Sequence, residues 1–246
     1  MIDGMGLLLQ AQRFSVILLI EAYSGRKKIV KRIWKSLLAS AVAAIFICTL
    51  TACGSFDASG YVKSALDANI HGEFEEYAEL VDISLEEAEQ DYNANLDSAL
   101  QSLESFDLSD EMTDKYRTLF ADLMKKTKYE VGEATKNKDG SYTVPVTITP
   151  ITNVFDGLMD EAEKQMTEYA SQFVSADDTP TGSEIMTYTV ELLYNLISDH
   201  IANAEYGDPQ EFTVSVLQNE DKSYSISDDD MTALTDAMID LGDFAN

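Results

Sequence analysis

Apolar residues recur at helical spacing through much of the chain. Tyr61, Val62, Ala65, Leu66 and Ile70 make one stripe, with Asp57 placed to cap a helix and Gly72 to end it. Phe74, Tyr77 and Leu80 predict a second, short helix. Ser84-Leu85-Glu86-Glu87 reads as a capping box, in which the serine accepts from the third amide and the glutamate reaches back. The helix it opens buries Tyr92, Leu96, Leu100 and Leu103. The next starts at Ser109 or Asp110 and turns Met112, Tyr116, Leu119, Phe120 and Leu123 inward. Lys125, Lys126 and Lys128 gather at its end, where they complement the helix dipole.

The period then changes from helical to alternating. Tyr129 and Val131 begin a strand, Asp139-Gly140 supplies a turn, and Tyr142, Val144, Val146 and Ile148 alternate with polar positions. Pro145 has no N–H to give to a ladder, so it predicts an edge strand or a bulge. Two helices follow. One carries Val154, Leu158, Ala162, Met166 and Phe173. The other carries Ile185, Tyr188, Leu192, Leu196, Ile197 and Ile201. The polar stretch from Ser175 to Ser183 loops between them. Phe212, Val214 and Val216, then Tyr224 and Ile226, predict a second hairpin. Asp228 is placed to cap a last helix with Met231, Leu234, Met238 and Leu241. The expected class is α+β: a helical N-terminal part, and two β-hairpins forming one small antiparallel sheet packed by helices. Asp139-Gly140-Ser141-Tyr142 and Asp221-Lys222-Ser223-Tyr224 occupy matching places in the hairpins. That match reads either as a divergent tandem repeat (61–152 and 153–246) or as convergent turn chemistry.

One apolar run fits neither pattern. Leu37 to Leu50 is interrupted only by Ser40 and Thr49, and follows the cations Arg26, Lys27, Lys28, Lys31, Arg32 and Lys35. A membrane-spanning helix needs about 20 apolar residues, so the run is short for a span and right for a signal peptide. It ends in Leu50-Thr51-Ala52-Cys53-Gly54, the pattern of a bacterial lipobox. In that chemistry the Cys53 thiol takes a diacylglyceryl group, cleavage falls between Ala52 and Cys53, and the freed amine of Cys53 can be N-acylated. A buried core helix would explain the apolar run but neither the basic flank nor Ala-Cys-Gly. The expected organisation is a signal peptide over 1–52, a lipidated tether over 53–60 and an extracytoplasmic domain over 61–246. Residues 1–29 read as an extension from a mis-set start, initiation falling at Val30 on a GTG codon. Any other valine codon there rules that out. Two acyl chains, each buried methylene contributing about 0.8 kcal/mol, would hold the protein stably on a membrane.

Charge narrows the function classes. The chain carries a formal charge of −27, and its first 52 residues hold 7 of the 17 Lys and Arg but only 2 of the 44 Asp and Glu. The remainder has 10 cations against 42 anions, about −32. Phosphate neutralisation needs a basic surface, so nucleic acid is not an expected partner. Anionic headgroups would likewise repel a uniformly acidic domain. The acids read first as a solvated surface, and second as an attractor of cations or basic peptides. Of the two cysteines, Cys48 lies in the signal and Cys53 is the lipid site. The mature part therefore has no disulfide, thiol nucleophile or thiolate metal site.

Candidate chemistry is sparse. His71 and His200 are far apart in sequence, and each sits near a helix end where ordinary contacts explain it. Asp228-Asp229-Asp230 lacks the glycine of a calcium loop and suits a helix N-terminus. Glu73, Glu75, Glu76, Glu86, Glu87 and Glu89 read as solvated helix faces. No nucleophile elbow, phosphate loop or dinucleotide fingerprint occurs. The tyrosines 61, 77, 92, 116, 129, 142, 169, 188, 194 and 224 fall mostly at core-periodic positions, with a groove lined by some of them as the alternative. No cofactor, metal or catalytic residue is expected.

Cys53-Gly54, Tyr61-Val62-Lys63, Gly72-Glu73-Phe74, Glu86-Glu87-Ala88, Lys128-Tyr129-Glu130-Val131 and Asp139-Gly140-Ser141-Tyr142-Thr143-Val144-Pro145-Val146 together resemble a family of lipoproteins of Gram-positive bacteria with no assigned function. The resemblance implies a cell-membrane location, lipid-anchored on the extracytoplasmic face, and implies no catalytic residue. The leading expectation is a non-enzymatic binding or interaction domain. Its partners would be the membrane through its anchor, the lipoprotein-processing enzymes and an envelope ligand or protein. A carboxylate-dependent envelope hydrolase and a solute-capture lipoprotein are the alternatives.

Overall fold

The computed structural model describes residues 56–101, 103, 108–173 and 180–242, and the backbone of 47–48. Its elements run β1 (Ile47–Cys48), α1 (Ala58–Leu66), a π-helical turn (Asp67–His71), α2 (Glu75–Val81), α3 (Leu85–Leu100), α4 (Asp110–Lys125), β2 (Lys128–Val131), β3 (Thr135–Lys136), β4 (Tyr142–Thr149), α5 (Leu158–Ala170), α6 (Gly182–Ala202), β5 (Gln210–Gln218), β6 (Tyr224–Ile226) and α7 (Asp228–Met238). The strands form one antiparallel sheet in the order β1-β6-β5-β4-β2, with β3 also on β4. The two expected hairpins, β2/β3–β4 and β5–β6, thus join edge to edge through β4 and β5, as the alternating pattern predicts.

The sheet buries one face. Tyr142, Val144, Val146 and Ile148 of β4 are buried, while Pro145 between them is exposed. Their partners across the ladder include Val216, Val214 and Phe212. Helices α1 and α7 lie against these strands, and α4, α5 and α6 continue the core away from the sheet. Val62, Leu66, Leu158, Ile197 and Leu234 are fully enclosed in it. Each such side chain contributes roughly 1.5–3 kcal/mol by leaving water, which is how a domain without disulfides holds together.

Pro145 sits in the interior of the sheet, so the bulge is realised and the edge strand is not. Val131 pairs with Val146 and Thr135 with Thr143, which leaves one extra residue on the β2/β3 side. Gly132 fills that bulge. Its N–H donates to the Pro145 carbonyl at 2.8 Å, and the return bond that proline cannot give is not needed there. A Cβ at Gly132 would come within 2.7 Å of Pro145 Cγ, so the two residues need each other.

Asp57, Ser84 and Ser109 cap their helices as expected, and two other starts differ. Ser84 Oγ accepts from Glu87 N at 3.1 Å, and Ser109 Oγ accepts from Met112 N at 3.3 Å. A reciprocal capping box forms at Thr181, whose N–H donates to Glu184 Oε2 at 2.7 Å while Glu184 N donates to Thr181 Oγ1 at 3.3 Å. Helix α6 therefore begins inside the stretch expected to be loop. The cap of α7 is Ser227 and not Asp228, because Ser227 is the extended residue and its hydroxyl accepts from Asp230 N. Lastly, α1 begins at Ala58, capped by Asp57 accepting from Gly60 N at 2.9 Å, with Phe56 buried in front of it. Of the segment expected as tether, residues 56–60 belong to the folded domain. Cys53 and the rest of the lipobox, Leu50, Thr51 and Ala52, lie outside the described residues.

Candidate functional site

Both hairpin loops are built alike and lie at the same end of the sheet. In the first, Asn137 N donates to Ser141 O at 2.8 Å, and Asp139 Oδ1 accepts from Ser141 N at 3.1 Å and from Ser141 Oγ at 2.7 Å. In the second, Asn219 N donates to Ser223 O at 2.9 Å, and Asp221 Oδ1 accepts from Ser223 N at 2.9 Å and from Ser223 Oγ at 2.6 Å. Asn137 Nδ2 donates to Ser141 Oγ at 3.0 Å, and Asn219 Nδ2 donates to Ser223 Oγ at 2.8 Å. The four-residue match seen in the sequence is thus a six-residue structural one, Asn-x-Asp-x-Ser-Tyr. Its fourth position takes a left-handed backbone both times, at Gly140 (φ 93°) and Lys222 (φ 69°). These hydrogen bonds hold both aspartate carboxyls below their ordinary range, the serine hydroxyl contributing most.

The tyrosines that end the two loops meet over one ring. Phe56 stacks on Tyr224 with centroids 4.0 Å apart and planes 7° from parallel. It meets Tyr142 edge-on at 5.6 Å and Tyr61 at 5.5 Å, and Tyr142 meets Tyr224 edge-on at 5.7 Å. Tyr61 Oη donates to the Tyr224 carbonyl at 3.4 Å. Ser59, the second residue of α1, fixes the same region: its Oγ donates to Gly132 O at 2.9 Å and accepts from Ala134 N at 2.8 Å. The first described residues of the domain are therefore clamped to both hairpins.

The densest polar cluster lies toward the other end of α1. Asp67, buried, takes Tyr129 Oη–H on Oδ1 at 2.6 Å and the Lys63 ammonium on Oδ2. His71 Nε2 donates to the Thr127 carbonyl at 3.2 Å, its Nδ1 is 3.3 Å from Tyr129 Oη, and the two rings stack at 4.9 Å. Burial first, then the bond to Asp67, pushes the Tyr129 phenol far above the usual tyrosine range. The bond to Asp67 also raises the Lys63 ammonium. A phenol held that firmly donates and does not act as a base. The cluster ties the π-helical turn to β2, and the left-handed Gly72 (φ 70°) closes the turn behind it.

The remaining candidates are dispersed. His200 Nδ1 donates to the Val154 carbonyl at 2.9 Å, and its Nε2 is 3.7 Å from Glu161 Oε2. Asp228, Asp229 and Asp230 occupy the first turn of α7, and Asp230 Oδ2 also accepts the Ser215 amide of β5 at 2.7 Å. Glu75, Glu76, Glu86, Glu87 and Glu89 are exposed on their helices, whereas Glu73, also exposed, lies in the connection between the π-helical turn and α2 and not on a helix face. Among the described residues, no three His, Cys, Asp or Glu side chains converge as metal ligands, and no helix is long and apolar enough to cross a membrane. Tyr169 and Tyr188 stack at 3.8 Å between α5 and α6, away from the Phe56 cluster. Sequence reading missed Phe56 because a lone aromatic ahead of a helix has no periodicity to reveal its burial.

No protein-family model and no curated protein matches the chain. Among solved structures it is similar to a Bacillus subtilis protein, ycdA, described as a candidate lipoprotein. The TM-score is 0.51 and the identity 17%, over 74% of this chain and 56% of that one. The chain thus spans little more than half of that protein's length, and the likeness shows the fold alone.

Proposed function

We propose that the chain is the precursor of a lipoprotein, anchored through Cys53 on the extracytoplasmic face of a cell membrane, whose acidic α+β head acts as a non-enzymatic binding or interaction domain. The observation that carries the reading is the Leu50-Thr51-Ala52-Cys53-Gly54 pattern, placed after a short apolar run and a cluster of six cations. Two further findings support it. The first helix starts at Ala58, with buried Phe56 three residues after the cysteine, so cleavage before Cys53 removes only β1 among the described elements and leaves every helix in place. The ycdA structure, similar in fold, carries a lipoprotein description. The titratable groups brought together by the fold serve as clamps and caps, which favours binding over catalysis. The antiparallel sheet gives no support to a two-lobed solute-capture architecture.

The test is the mass of the mature N-terminus. Expression in a Gram-positive host with an alkyne-tagged fatty acid should label the wild type and yield a protein beginning at diacylglyceryl-Cys53. The Cys53→Ala variant should stay unlabelled and lose membrane retention. Labelling or full retention of that variant would refute the anchor. Crosslinking on intact cells, followed by recovery of the anchored protein, then identifies the envelope partner; a head that crosslinks to nothing under any growth condition refutes the interaction role.

A further inference from the structure

The chain between the proposed anchor and the folded domain is very short. Cys53 and Phe56 are three peptide steps apart, so their Cα atoms lie at most about 11 Å from each other. Phe56 does not hang on that leash. It is buried, stacked on Tyr224 and wedged against Tyr142, at the end of the sheet that carries both Asn-x-Asp-x-Ser-Tyr loops. The opposite end, where Thr149 and Gln210 lie, is the full length of β4 away, about 25 Å for eight residues. An acyl group on Cys53 can therefore bring only one end of the sheet to the lipid.

That end differs from the rest of the molecule. The two loops and the end of β3 carry Lys136, Lys138 and Lys222 against Asp139, Glu220 and Asp221, a balance of zero, or −1 with Asp57 beside Phe56, in a mature chain of about −32. Three of the 10 cations after residue 52 sit on them. Leu217, beside the second loop on β5, is one of two large apolar side chains strongly exposed among the described residues, at 46%. The chain before the cleavage point converges on the same edge: Cys48 and Ile47 pair with Tyr224 and Ser225 of β6.

Resting on the anchor reading, we infer that the paired hairpin loops are the membrane-facing surface of the domain. Lys136, Lys138 and Lys222 meet lipid phosphates, Leu217 reaches the headgroup layer, and the acidic helices are turned outward to the envelope. Phe56 is the positioning residue: it converts a lipid tether into a fixed orientation. Uniform acidity would repel the domain from an anionic leaflet; a nearly neutral, lysine-bearing end relieves most of that repulsion where the leash forces contact.

Once Cys48 is cleaved off and Cys53 is thioether-linked, the mature chain has no free thiol, so one introduced cysteine is a unique label site. Full-length chains carrying Lys138→Cys, Glu220→Cys or Asp208→Cys are processed in a Gram-positive host, labelled with a fluorophore, and reconstituted into vesicles of equal parts phosphatidylglycerol and phosphatidylethanolamine. A nitroxide on the lipid headgroup quenches at short range. Quenching severalfold stronger at positions 138 and 220 than at 208 is expected. Inserting a long Gly-Ser segment after Ser55 should equalise the three sites, and Phe56→Ala should do so in part. Equal quenching in the unaltered leash, or stronger quenching at 208, overturns the orientation while lipid mass on Cys53 leaves the anchor standing. An orientation that survives the long leash overturns the role of Phe56. A mature protein without lipid on Cys53 overturns the anchor, and the orientation with it.

Discussion

Single residues in this fold gain their importance from partners distant in sequence. Tyr129 and Asp67 are separated by most of the helical part, yet their 2.6 Å bond closes the polar clamp. Tyr129→Phe leaves Asp67 with the Lys63 ammonium alone. Removing a hydrogen bond to a charged, buried acceptor costs about 1.5–3 kcal/mol, so the unfolding free energy read from urea melts should fall by that much and the midpoint with it; an unchanged midpoint would show that water replaces the phenol. Asp139 and Asp221 make a subtler case. Both carboxyls titrate below their ordinary value in the fold because Ser141 and Ser223 donate to the charged form. A folded-state value lower than the unfolded one gives stability that is complete above the unfolded value and disappears as pH falls through the folded one. Asn at both positions keeps an acceptor oxygen without the charge. The Asp139→Asn, Asp221→Asn double variant should therefore show a shallower loss of stability below about pH 4 than the wild type, in thermal melts followed across that range.

At the scale of elements, the paired loops permit an internal comparison. They share every hydrogen bond of the Asn-x-Asp-x-Ser-Tyr frame, but one places Gly140 in the left-handed region and the other places Lys222 there. A side chain in that conformation costs roughly 1 kcal/mol, so Lys222→Gly should raise the melting temperature, whereas the same change at Glu220, a turn position whose φ is not positive, should lower it. Gly132→Ala should act the other way. Its methyl would meet Pro145 Cγ at 2.7 Å, and relief through the bulge costs about 1–3 kcal/mol; a neutral result would mean that the bulge reshapes freely. Helices, hairpins and most caps were legible because each is a local pattern: a period, a turn dipeptide, a hydroxyl before an apolar run. The Thr181-x-x-Glu184 box was equally visible and was hidden only by the polar residues around it. Three things were not legible. Pro145 in the interior of the sheet depends on Gly132 across the ladder, the burial of Phe56 on two tyrosines far along the chain, and the clamp on a π-helical turn that brings Asp67 and His71 under one strand. Each is set by tertiary pairing, for which a local pattern carries no signal.

For the whole molecule the governing quantity is charge, and its distribution matters more than its sum. About −32 spread over residues 53–246 makes the compact state repel itself. The ion pairs seen, such as Arg117 with Asp97 and Lys115 with Glu111, engage few of the 42 acids. Screening should therefore stabilise the domain. The Debye length falls from about 30 Å at 0.01 M salt to about 8 Å at 0.15 M, which cuts repulsion between helices while leaving contacts such as Tyr129–Asp67 intact. The melting temperature of a chain spanning residues 53–246 should climb with sodium chloride over that range and then level off. The same titration separates a solvated acidic surface from a specific cation trap. Among the described residues no three acidic or imidazole side chains converge, so magnesium and calcium should match sodium chloride at equal ionic strength. A divalent ion that raises the melting temperature further, and saturates, would instead locate a cation site, and would move the reading of the acidic face from repulsion toward capture. The loops that face the membrane respond differently, because they are neutral already. Salt should leave headgroup quenching at Lys138→Cys nearly unchanged if Phe56 and the leash set the orientation, and should abolish the bias if electrostatics alone does.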